Sequence, residues 1–178
     1  MSKPMETGMS SPPVARFDSP EPVDHDLAAA TCLRKRAMTS DQIRLVRTTW
    51  DQVVLIADTA ARLFYERLFE MEPELRRLFG RTDMEQQRKK LMQTLAVAVR
   101  ALDQLETLRP ALEALGRRHV DYGVEDRHYD LVGAALLWTL EQGLGDGYTE
   151  SVQEAWSSAY AILAGIMRDA ASRGQAAA

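Results

Sequence analysis

One cysteine, Cys32, stands in 178 residues, so no disulfide can form within the chain. Such sparing use suits a reducing compartment, and a cytoplasmic location is the expectation. Only three histidines are present, His25, His119 and His128, and they are widely spaced. With one cysteine they are too few to build a zinc cage. No apolar run is long enough to span a bilayer. The N-terminus lacks the charged start and apolar stretch of a secretory signal. Positive charge is not gathered into a large patch: the net charge is −4, and a basic cluster such as Arg34-Lys35-Arg36 is short. That argues against a nucleic-acid partner. Alternating strand patterns are missing, as is any Asn-Gly or Asp-Gly turn between β-branched runs. A sheet is thereby excluded.

What is present divides near residue 38. Five of the seven prolines, Pro4, Pro12, Pro13, Pro20 and Pro22, fall in residues 1–38 among serines and acids. So little apolar surface cannot offset the entropy of ordering, and a disordered extension is expected there. From Thr39 onward the apolar spacing is helical. Thr39 and Gln42 form a capping-box pattern ahead of Ile43, Val46, Trp50 and Val53. Ala61, Phe64, Tyr65, Leu68 and Phe69 make a full helical face from about Asp58 to Met71. Pro73 suits a first helical position, opening PELRRLF before Gly80. Asp83 and Gln86 cap a helix carrying Gln87, Leu91, Leu95 and Ala98. Asp126 is expected to cap a helix with Leu131, Ala134, Leu136, Trp138 and Leu140 inside, and Thr149 a last one with Val152, Trp156, Tyr160, Leu163 and Met167. The spacing predicts one all-α domain over 39–173 and a short flexible tail over 174–178.

Three polar side chains interrupt these apolar faces. His119 follows Leu108, Leu112 and Leu115 on one stripe. Tyr65 and Gln87 do the same on their own helices. Each has an ordinary reading: a hydrogen-bonded core tyrosine, a solvated glutamine near a helix start, a satisfied histidine. Together they form a chemical set. A lone inward imidazole can give one axial bond to a flat cofactor that brings its other ligands, which is haem. A phenol and an amide can both donate hydrogen bonds to a partly negative diatomic ligand.

Six segments carry a family resemblance: LFYERLF at 63–69, PELRRLF at 73–79, QRKKL at 87–91, RRHVDYGV at 117–124, HYDLVG at 128–133 and EAWSSAYAILAGIM at 154–167. In that order and spacing, from about Thr39 to Asp169, the chain resembles bacterial globins of the flavohaemoglobin and single-domain haemoglobin type. The resemblance implies a globin-like fold of six to eight helices around a pocket for haem b, iron protoporphyrin IX. It makes His119 the iron ligand and Tyr65 and Gln87 the distal donors. Leu91 roofs the distal pocket, Phe79 packs on the porphyrin, and Lys90 reaches a propionate. Trp50 and Trp156 match structural aromatics. Tyr129 matches a tyrosine that acts on the proximal imidazole together with a late glutamate. That glutamate's position falls near Ala171, and no carboxylate stands there; Asp169 faces another way. No Gly-rich dinucleotide fingerprint occurs, so a globin without a reductase domain is expected, fed by an external reductase. The implied function is reversible binding of O2, CO or NO, in the manner of an oxygen-transport protein. Two other readings are a nitric oxide dioxygenase component and a haem-based gas sensor acting through a partner.

Overall fold

The computed structural model describes residues 38–176. Among them there are helices and no strands. The elements are α1 (Ser40–Val54), α2 (Ala57–Met71), a 3-10 turn (Pro73–Phe79), α3 (Met84–Arg100), α4 (Leu105–Asp121), α5 (Asp126–Leu144), a 3-10 turn (Gly145–Gly147) and α6 (Glu150–Ala176). The expected disordered extension lies outside the described residues apart from Met38, which packs on the core. The last helix continues to Ala176, beyond the boundary expected at 173. No helix among the described residues is long and apolar enough to cross a membrane.

Local chemistry explains where helices begin. Thr39 Oγ1 accepts the Gln42 N–H at 3.1 Å, and the Gln42 side chain accepts the Thr39 N–H at 3.0 Å. This capping box pairs donors that a helix start would otherwise leave open. Asp83 accepts the N–H groups of Glu85 and Gln86, so its cap is one-sided rather than reciprocal. The start of α5 departs from expectation. Glu125, not Asp126, is the cap, and His128 completes the box: its Nδ1 accepts the Glu125 N–H at 2.9 Å. His128 is buried inside the first turn of α5.

The core fills between α1, α2, α5 and α6. Val46, Trp50 and Val53 face Phe64, Leu68, Leu136, Leu140, Val152 and Trp156. Burying each large side chain contributes roughly 1.5–3 kcal/mol. The Trp156 indole donates to Thr49 Oγ1 at 2.9 Å, and Thr49 in turn donates to the Leu45 carbonyl at 2.7 Å. The two tryptophan rings lie 6.2 Å apart. Ala134 is exposed, contrary to expectation. The buried face of α5 instead runs through Gly133, Ala135, Leu136, Thr139 and Leu140, because Gly133 gives way to the Tyr160 ring.

Two packings position the site. Helix α3 lies against α1 and α2, whereas α4 lies along α6. Consecutive in sequence, α3 and α4 share no broad packed face. The α4–α6 contact depends on Gly116, where a Cβ would stand 2.3 Å from the Met167 carbonyl oxygen. Gly116→Ala should therefore force two helix backbones apart and cost about 1–3 kcal/mol or more. Gly165→Ala, on α6 with no atom near its missing Cβ, should gain about 0.5–1 kcal/mol from helix propensity. Urea unfolding of both variants checks this. Equal stabilities would mean that the helices do not meet at Gly116.

Candidate functional site

The first half of the site grows from the second half of α2. Spacing of four residues puts Tyr65 and Phe69 on one buried face. Pro73 then opens the 3-10 turn, which carries Phe79 back over them. The Phe79 ring meets Tyr65 edge-on at 5.5 Å and Phe69 edge-on at 5.5 Å. The Arg76 guanidinium covers Phe69 at 4.7 Å. Burial pushes the Tyr65 phenol above its ordinary value of 10.0, and hydrogen bonding from the Gln87 side chain opposes that rise. The Tyr65 hydroxyl therefore keeps its proton at neutral pH and remains a donor. Gln87 sits in the first turns of α3, half-buried, with Leu91 one turn further on and packed against the core. Lys90 is exposed on the same helix.

The second half grows from the end of α4. His119 is half-buried, and its Nδ1 lies 2.9 Å from the Leu115 carbonyl one turn earlier. A carbonyl only accepts, so Nδ1 carries the proton and Nε2 keeps its lone pair. Burial lowers the His119 pKa from 6.5; the Leu115 carbonyl opposes this and the neighbouring Arg118 charge adds to it. The result is a neutral imidazole with a bare nitrogen, the form that binds a metal. The Tyr129 ring stacks on His119 at 6.2 Å and 24°. The Tyr160 hydroxyl, on α6, donates to the Tyr129 carbonyl and holds this part of α5 in place.

Tyr129 is 7% exposed, and its hydroxyl has no hydrogen-bond partner among the described residues. It borders a cavity of about 360 Å³ that also meets Val120, Val124, Arg168 and Ala171. Ala171 has no polar side chain to offer that cavity, and Asp169 is exposed. Arg168 instead pairs with Asp130 at 2.6 Å and Asp126 at 3.0 Å.

The residues singled out from sequence thus fall into two groups. Tyr65, Gln87 and Phe79 come together, and His119 and Tyr129 come together. No hydrogen bond or ring contact joins one group to the other. Sequence reasoning missed the Leu115 carbonyl, although the i−4 relation was open to simple counting. It also missed the Tyr160 hydroxyl, which no local pattern marks.

Helices crossing in this order, with a bare imidazole on one side and a phenol–amide pair on another, define a helical protein built around an inserted group. A model of the family described as globin matches residues 62–167, and the chain belongs to the globin family. It is 30% identical over 134 residues to a flavohemoprotein of Vibrio cholerae, a match covering 74% of this chain and 34% of that one. The chain therefore spans about a third of the length of that relative. It is 31% identical over 143 residues to a neuroglobin of Tetraodon nigroviridis, covering 73% of this chain and 90% of that one. A solved structure of an engineered carbene transferase, made from a candidate nitric oxide dioxygenase of Rhodothermus marinus, superposes with a TM-score of 0.71 at 28% identity. That superposition covers 79% of this chain and 98% of the other.

Proposed function

We propose that this chain is a haem b globin that reversibly binds O2 and other diatomic gases, with His119 as the protein ligand to iron. The observation that carries the reading is the 2.9 Å contact from His119 Nδ1 to the Leu115 carbonyl, which leaves Nε2 free. Globin membership and the flavohemoprotein and neuroglobin matches support haem as the cofactor. The residues present fit the group: a neutral imidazole at the end of α4, a donor pair on α2 and α3, and no packed face between α3 and α4. Bound there, haem would supply ferrous iron, which takes up diatomic gases reversibly.

The chain's own groups do the rest. His119 Nε2 would hold the iron, and the Leu115 carbonyl fixes the ring's orientation and tautomer. Tyr65 and Gln87 would donate hydrogen bonds to a bound gas. Leu91 keeps that side dry, and Phe79 packs on the ring system. Lys90 reaches a propionate. Tyr129 supports His119 from behind by stacking. Its hydroxyl finds no carboxylate acceptor at Ala171, so no negative charge is passed through it toward the imidazole.

A second reading, nitric oxide dioxygenation fed by a separate reductase, draws on the Tyr65–Gln87 pair and on the candidate dioxygenase among the structural relatives. Absorption spectra of oxidised, reduced and CO-treated protein test the first reading; no haem bands after reconstitution would sink it. A nitric oxide electrode separates the two. The O2-loaded chain should consume nitric oxide once per haem, and NADH alone should not sustain consumption. Sustained turnover should begin only when a reductase is added. Steady turnover with NADH alone would reveal an electron route within these 178 residues.

A further inference from the structure

The connection between α1 and α2 breaks the usual rule for a surface turn. It is two residues long, Leu55 and Ile56, and has no glycine, proline or polar side chain. Leu55 is 85% exposed, Val54 before it 47% and Ile56 after it 37%. Consecutive exposed apolar residues raise the risk of aggregation and persist on a surface mainly where something covers them. The corner abuts the end of α5. The Ile56 side chain lies 3.1 Å from where a Cβ on Gly143 would stand, and Gln52 lies 3.8 Å from the same point on Gly147.

The two segments that meet at this corner carry charge of one sign. No lysine or arginine occurs in residues 48–61 or in residues 128–167. Asp51 flanks the apolar run on one side, and Glu141, Asp146 and Glu150 flank the glycines that it touches. None of these four carboxylates has an ion-pair partner among the described residues. Nearby acids elsewhere are matched: Asp58 by Arg88 at 3.6 Å and Glu66 by Arg62 at 3.0 Å.

We propose that the Val54–Leu55–Ile56 corner is a docking site for a lysine- and arginine-rich segment of a partner protein that carries an apolar anchor. The anchor covers Leu55, and the basic side chains pair with Asp51, Glu141, Asp146 and Glu150. Charge decides among occupants. A second copy meeting the same corner across a two-fold axis would set these carboxylates against themselves. Nucleic acid and anionic lipid are repelled for the same reason. None of the residues that form this surface is among those assigned to haem, so the proposal does not depend on that assignment.

The test is an amide-shift titration of the ¹⁵N-labelled full chain with a helical peptide of leucine and lysine, against the same peptide with glutamate for lysine. The lysine peptide should shift amides in residues 51–58 and 141–150. Its binding should weaken steeply between about 50 and about 500 mM salt. Leu55→Ser should weaken it roughly tenfold or more, with the haem spectrum unchanged. Asp51→Asn combined with Asp146→Asn should weaken it as well and flatten the salt dependence. Shifts spread over the whole surface, equal binding of the glutamate peptide, or indifference to Leu55→Ser would overturn the proposal. So would a concentration-dependent dimer in sedimentation that Leu55→Ser abolishes, because the occupant would then be a second copy.

Discussion

Replacing His119 with alanine should leave a folded protein that has lost its own bond to haem iron. His119 is one of three histidines, and His25 lies outside the described residues. His128 cannot substitute, because its Nδ1 is engaged by the Glu125 N–H and its side chain is buried in the first turn of α5. Purified His119→Ala should contain little haem, or haem with an altered spectrum that added imidazole restores. His128→Ala should keep the spectrum but lose about 1 kcal/mol of stability with its half of the capping box. The reverse pattern would place the iron bond on the wrong histidine. Acid should act in the same direction as the mutation. Between the lowered His119 pKa and 6.5, the unfolded chain takes up a proton that the folded chain refuses, so stability rises with pH across that window. Haem retention followed from pH 8 to pH 4 should hold through 6.5 and fail only as the pH falls through the lowered His119 pKa.

How much of this was legible in sequence depends on whether a feature is periodic. The inward placement of Tyr65 rests on a five-residue helical face, and the structure buries it with that face. The Thr39 box is a two-letter code and forms as written. Features set by distance between elements left no trace. Gly116 looks like any helical glycine until α6 lies 2.3 Å from its missing Cβ. Asp126 is the better N-cap type by chemistry, yet the reach of His128 back to the Glu125 N–H sets the cap one residue earlier. Ala134 fits a helical stripe as well as Ala135 does, and the approach of Tyr160 to Gly133 sets the rotation that exposes it. At the site, pattern could nominate His119. It could not show that the Leu115 carbonyl selects the tautomer.

Removing the Tyr65 hydroxyl should change how the protein treats O2 far more than how it treats CO. The hydroxyl keeps its proton because burial raises its pKa, so it can only help a ligand that accepts a hydrogen bond. O2 on ferrous haem takes up partial negative charge, and CO takes up much less. A hydrogen bond to a charged acceptor contributes about 1.5–3 kcal/mol, which corresponds to roughly tenfold or more in the rate of O2 release. Tyr65→Phe keeps the ring that packs edge-on against Phe79 at 5.5 Å and against Phe64 at 5.0 Å, so the pocket's shape is preserved. Gln87→Leu should produce a change of the same sign, and the double variant less than the product of the two, because both donors serve the same ligand. Stopped-flow displacement of O2, with CO release from the same samples as the control, measures all three. If Tyr65→Phe speeds the release of both gases equally, the residue acts by filling space, and the donor role assigned to it falls.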